Sequence, residues 1–241
     1  MRETSREHKS IAVPAALAAA GAAYFLWARP WHMGWGATPE EREASLPGDT
    51  ICPNATGQAT HAITINASPK EIWPWLLQIG QDRGGFYSYT PLENLIGCQM
   101  QNTFRLVSEW QSRKTGDTVW FGTPKHFHGK ARMITAIVDP EKSLVFATPE
   151  DWERMKAGQH GSDGTWALVL NPVGPQVTRL VARSRGAVHP TVWKRAATYA
   201  FWEPAHFIME RKMLRTIKRL AEALANGEIE IPEITEAQTP A

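Results

Sequence analysis

The chain has 241 residues, 26 of them basic and 24 acidic, for a formal net charge of +2. A hydrophobic content of 43% with 21% charged residues argues against a wholly disordered chain, and the near balance of charge argues against a nucleic-acid binder. Two cysteines are too few for a disulfide scaffold, while 11 tryptophans against 4 tyrosines favour an interface or a binding cavity.

Arg2, Arg6 and Lys9 precede an uncharged run from Ser10 to Ala28, which Arg29 ends. As a helix it would span about 28 Å, close to the ~30 Å hydrocarbon core of a bilayer. Trp27, Trp31, His32 and Trp35 follow, as an interfacial aromatic belt would. The first reading is a continuous, detached membrane anchor over residues 1–28, its N-terminus inside. A signal peptide cleaved near Ala18-Ala19-Ala20 or Gly21-Ala22-Ala23 is the second, and an alanine-rich helix docked on the body the third. Residues 29–59, rich in Pro, Gly, Glu and Thr, read as a linker or arm.

The body is expected over 60–227, with a mobile tail over 228–241. Ile63, Ile65 and Ala67 alternate on one face of a strand. Ser68-Pro69-Lys70-Glu71 then carries a helix start: capping serine, proline at the first position, glutamate three residues after the cap. Thr90 to Gly97 reads as a second short helix. Strands are predicted over Thr118–Phe121, Lys130–Val138, Ser143–Thr148, Gly164–Leu170 and Gln176–Arg185, separated by turn residues such as Asp139-Pro140 and Asn171-Pro172. Pro190 to Trp202 reads as a short helix. A last helix starts at Pro204 and runs to about Asn226, with Met209, Met213, Ile217, Leu220 and Leu224 in one stripe.

This order predicts an α+β helix-grip fold: a curved antiparallel sheet of six or seven strands around a long C-terminal helix, preceded by an N-terminal hydrophobic helix. In the last strand Thr178, Leu180, Ala182 and Ser184 share one face; Arg179, Val181, Arg183 and Arg185 share the other. Arginines belong in solvent, so the small set faces inward and leaves room for a cavity, which adaptable methionines of the helix would complete.

Several stretches carry a family resemblance: Arg29-Pro30-Trp31-His32 with Trp35-Gly36-Ala37-Thr38; Ile63 to Pro69 followed by Ile72-Trp73-Pro74-Trp75-Leu76; Gly85 to Tyr89 with Leu92-Glu93-Asn94; Glu109-Trp110-Gln111 before Gly116-Asp117; and Phe207 to Leu214. On these the body, roughly residues 29 to 226, resembles the START-related helix-grip superfamily called SRPBCC. That superfamily includes birch-pollen-type allergens and polyketide cyclase/dehydrase-like proteins, and the nearer resemblance is to a group of bacterial members. It implies a pocket for an apolar or amphipathic small molecule, and no particular reaction. Glu203 before Pro204 departs from the pattern, where a better helix cap such as Asp is expected.

The cavity wall is expected from Trp75, Phe86, Tyr87, Trp110, Trp120, Phe146, Trp166, Trp202, Leu180, Ala182, Met209 and Met213. Tyr87, Glu93 and His206 are the acid–base candidates; against them stands the reading that Phe86 and Tyr87 close the cavity mouth while Glu93 and Asn94 anchor the short helix. His126 and His128 start a metal site only with a third ligand that is not evident nearby, so no metal is expected. No nucleophile elbow, P-loop or dinucleotide glycine motif is present, and no cofactor is expected. The functional expectation is a membrane-tethered domain that binds or carries a hydrophobic small molecule. The alternatives are an enzyme of cyclase, dehydratase or isomerase type on a similar ligand, or an interaction module with a vestigial cavity.

Overall fold

The computed structural model describes residues 16, 18–187 and 191–230. Six antiparallel strands form one curved open sheet: β1 (Gly57–Ile65), β2 (Thr118–Trp120), β3 (Arg132–Asp139), β4 (Ser143–Ala147), β5 (Thr165–Gly174) and β6 (Val177–Gly186). Their order is β1-β6-β5-β4-β3-β2. Pro172, expected in a turn, lies within β5 instead. β4 reaches only as far as Val169, so the missing proline N–H falls on an open edge. A register shift between Thr135 and Ile137 puts a bulge in β3, and bulges bend a strand.

The inner face holds the main core. Thr178, Leu180 and Ala182 of β6 are fully buried there. The helix Pro69–Leu77 starts where Ser68 and Glu71 predict, with the Ser68 N–H on the Glu71 carboxylate at 2.8 Å. It packs against the long helix Glu203–Ala225, which buries Met213, Ile217, Leu220 and Leu224 on the sheet side. Six strands gripping one amphipathic helix make this a helix-grip fold.

The expected break before Pro204 is absent. A helix over Val192–Ala197 runs through a π-turn, Thr198–Trp202, straight into Glu203–Ala225. The Glu203 N–H reaches back five residues, to the carbonyl of Thr198. This shift comes just before Pro204, which has no N–H and whose ring crowds the carbonyl four residues back. The same arrangement recurs where the π-turn Tyr24–Ala28 precedes Pro30, with the Arg29 N–H on the Tyr24 carbonyl. The two π-turns pack together. The Tyr24 hydroxyl donates to the Tyr199 carbonyl, and Arg29 forms a two-pronged pair with Glu203, 2.8 Å on each prong. Glu203 is therefore a partner for Arg29 inside a continuous helix, where no capping residue is needed.

These contacts correct the picture of a detached N-terminal helix. Residues 10–15 and 17 of that run lie outside the described residues. The rest is helical from Ala18, runs through the π-turn to Met33, and is tied to the body from Tyr24 onward. Among the described residues no helix is long and apolar enough to cross a membrane.

The outer face of the sheet is also covered. Leu46 and Ile51 of the arm, with Trp152 and Met155 of a helix Pro149–Lys156, pack on Ala62, Val145, Ala167 and Val181. That helix is unannounced by periodicity; Thr148 caps it, its hydroxyl accepting from the Asp151 N–H. Cys52 sits on this side, and both it and Cys98 are unpaired.

The cover overturns the expectation that the β6 arginines point to solvent. Arg183 is only 2% exposed. Its guanidinium bonds Asp49 at 2.8 Å, Thr60 at 3.1 Å, and the carbonyls of Glu41, Arg42 and Ala44 at 2.6, 3.0 and 2.6 Å. Arg179 pairs with Glu41 in the same way. Arg183→Met should cost about 1–3 kcal/mol, because it removes the donor shared by three carbonyls and the Thr60 hydroxyl and leaves Asp49 with Arg185 as its one guanidinium partner. Denaturant unfolding measures the loss, and limited proteolysis should then cut first within residues 36–56. Parental stability with an uncut arm would show that Arg183 does not hold the cover.

Candidate functional site

A cavity of about 530 Å³ lies between the sheet, the C-terminal helix and the short helix Thr90–Leu95. Phe86, Phe121, Met133, Trp166, Met209 and Met213 supply much of its wall. Phe86, Phe121 and Trp166 form a triangle of tilted rings, with centroids 4.6 Å apart for Phe86 and Phe121 and 6.0 Å for each of the other two pairs.

The helix Thr90–Leu95 is inside out. It exposes Leu92 and Leu95, followed by exposed Ile96, and buries Glu93, which is 2% exposed and lines the cavity. Amphipathic helices normally do the reverse. Neighbouring amides hold it so: the Asn94 side chain donates to the Met100 carbonyl at 3.0 Å, and that of Asn102 to the Ser88 carbonyl and the Thr90 hydroxyl, both at 3.0 Å. Neither carboxyl oxygen of Glu93 has a hydrogen-bond partner among the described residues. Burial pushes this carboxyl up to about 7. Leu92, Ile96 and the exposed Trp202 form the cavity rim.

A second polar group stands in the wall formed by the C-terminal helix. Glu210, fully enclosed, accepts from the Trp166 indole N–H at 2.7 Å and from His61 Nδ1. His61 Nε2 bonds the His32 carbonyl at 2.7 Å. Burial works against charge on both side chains. Even so, the nearby His206 and His61 hold Glu210 well below the usual carboxylate range, and Glu210 in turn raises the His61 pKa. His206, 43% exposed on its side chain, lies 3.7 Å from Glu210 and 3.3 Å from the Ser184 hydroxyl. It lines the cavity with Ser184 and Arg185.

Three donor atoms of His61, His206 and Glu210 lie within 4.8 Å of one another, a set able to hold a divalent cation. Both nitrogens of His61 are already engaged, with Glu210 and with His32, so a cation would enter only by displacing a proton. His126 and His128 are exposed on a loop and recruit no third ligand among the described residues. His189 lies outside the described residues.

Of the residues singled out in the sequence, Phe86, Glu93, Trp166, Trp202, His206, Met209 and Met213 come together on this cavity. The others lie elsewhere. Trp75 and Tyr87 are core residues packed edge to face, and the Tyr87 hydroxyl accepts from the Gln78 amide at 3.2 Å. Phe146 lies beside Trp166, one residue behind the wall. Leu180 and Ala182 are sealed in the core, so the cavity opens further along β6, at Ser184 and Arg185. Strand alternation buries Val119 and turns Trp120 to the other face, under Arg132. Trp110 closes a 3-10 turn whose carbonyl receives Arg83.

His61, Glu210 and Arg185 were not singled out. His61 shares strand parity with Ile63 and Ile65, and Glu210 sits in the run His206, Glu210, Met213, Ile217 at spacings of four, three and four. Both signals were therefore present.

No protein-family model and no curated protein matches the chain. Several solved structures do. One is a Polyketide_cyc-like protein from Corynebacterium glutamicum: 14% identity, 69% of this chain and 92% of that one, TM-score 0.33. A second is CalC from Micromonospora echinospora, described as a self-sacrificing resistance protein: 13% identity, 71% and 95%, TM-score 0.35. A third is a protein from Mesorhizobium loti: 13% identity, 68% and 96%, TM-score 0.33.

Glu93→Gln tests whether the orphan acid governs pH-dependent stability. A carboxyl raised from 4.5 to about 7 binds its proton more tightly in the folded state. The parent should therefore lose stability relative to the variant as pH rises from about 4.5 to about 7, by a few kcal/mol, and level off above that. Parallel pH profiles for the two proteins would mean that Glu93 is not buried as described.

The strand order and the long gripping helix of this chain make its fold a helix-grip fold.

Proposed function

We propose that the protein binds a hydrophobic or amphipathic small molecule in this cavity and carries it, working at a membrane surface. The observation that carries the reading is the inverted helix at the cavity rim. Leu92, Leu95 and Ile96 stand in solvent while an acid faces an apolar space of about 530 Å³. Small-molecule sites are typically roughly 300–1,000 Å³, mostly apolar, with few polar groups. Exposed apolar side chains at the rim suit a ligand that arrives from lipid. Phe25, Leu26, Trp27, Trp31, Trp193 and Phe201 extend the exposed apolar surface on the paired π-turn segments and the short helices next to them, Arg29–Met33 and Val192–Ala197.

A second reading, acid–base catalysis of cyclase, dehydratase or isomerase type, draws on Glu93 and His206 facing the same cavity. Binding is the economical reading, because most of the cavity wall is apolar and a binding role needs no assigned reaction.

Filling the cavity tests the binding. Ala205 lines it from the C-terminal helix and is partly open to it. Ala205→Phe should abolish uptake of a hydrophobic fluorophore and change stability by less than the roughly 1–3 kcal/mol of an overpacked core. A large stability loss, with no uptake by the parent, would mean a solid core at this place. Flotation with neutral phospholipid vesicles tests the membrane part. The full chain should float, and a Leu95→Glu, Trp202→Glu double variant should float markedly less. Equal flotation of both would remove this rim from membrane contact.

A further inference from the structure

Resting on the cavity reading, the geometry points to a lipophilic amine as the ligand, its ammonium held by the Glu93 carboxylate and its hydrocarbon body by the aromatic wall.

The argument starts from what Glu93 lacks. A buried carboxyl normally carries a partner, and each missing hydrogen bond costs free energy. Both oxygens of Glu93 are unpartnered and the residue is 2% exposed, in the wall of a cavity. The cluster around Glu210 is the opposite case: both of its oxygens are taken by Trp166 and His61. Of these two acids, Glu93 is the one left open on the cavity side among the described residues.

The surroundings favour a cation over a neutral partner. The wall contains Phe86, Phe121, Phe127 and Trp166, and aromatic faces attract ammonium groups. The titratable and charged groups sharing the cavity are the Cys98 thiol beside Glu93, then Arg185 on β6 and His206 and Glu210 on the C-terminal helix. Arg185 is drawn to Asp49 at 3.3 Å, and His206 to Glu210 at 3.7 Å. No cation of the protein is left to neutralise Glu93 among these groups. An alkyl ammonium supplies that charge and up to three donors, and a charge-assisted bond in a dry site is among the strong ones. On binding, Glu93 gives up its proton to solvent, so amine uptake strengthens as pH rises.

The experiment compares decylamine and decanol as competitors for a hydrophobic fluorophore on the full-length protein, between pH 5 and pH 9. The chains are matched and only the head differs, and the amine keeps its proton across this range. At pH 8 decylamine should compete roughly tenfold or more better than decanol. That advantage should fall away below about pH 6, and decanol should show no pH dependence. Glu93→Gln should bind decanol as the parent does, which also reports an intact cavity, and should show no amine preference. Equal competition by both at every pH overturns the amine assignment while leaving the cavity reading intact. Failure of fluorophore and both competitors to bind overturns both. The pH profile of the parent stands whether or not the variant folds.

Discussion

Glu210 is the joint between the two halves of the fold. It lies on the C-terminal helix, yet its oxygens are bonded by Trp166 of β5 and His61 of β1. His61 in turn is fixed through the His32 carbonyl, so the N-terminal segment, the sheet and the gripping helix meet at one buried carboxylate. Removing one partner from a buried pair of this kind costs about 3–5 kcal/mol, because the other charge is left stranded. The joint sits in the cavity wall. It fixes the distance between sheet and helix there, and that separation leaves room for a ligand.

The opposite face of the sheet obeys a related constraint. A sheet apolar on both sides must be covered on both, and here the residues between Ala37 and Ile51 supply part of the cover. They are pinned to it by Arg183, whose guanidinium satisfies a carboxylate, a hydroxyl and three carbonyls. The N-terminal segment and the start of the C-terminal helix solve a shared problem with two facing π-turns, each placed just before a proline. The segment from Tyr24 and the start of the C-terminal helix thus both contribute to the body.

Local patterns announced much of this. Alternation in β1 and β6, the Ser68–Glu71 capping box and the stripe Met213, Ile217, Leu220, Leu224 each act over a few residues and are visible in sequence. Arg183 reads as an outward charge because its partners lie more than a hundred positions away. The helix Pro149–Lys156 has eight residues, too few for a period to show. The face carrying Thr178, Ala182 and Ser184 signalled room, but neighbours close over Leu180 and Ala182, and the space opens at Ser184. Glu93 was legible as a candidate by residue type. Its lack of any partner was not, since that depends on what surrounds the helix Thr90–Leu95 in three dimensions.

The cavity is the centre of the account, and native mass spectrometry of the full-length protein, purified without added hydrophobic ligand, tests it most directly. The account predicts a one-to-one adduct with a small apolar or amphipathic molecule, present in the parent and absent from Ala205→Phe. Only the bare chain mass in both proteins, unchanged after incubation with hydrophobic small molecules, would contradict it.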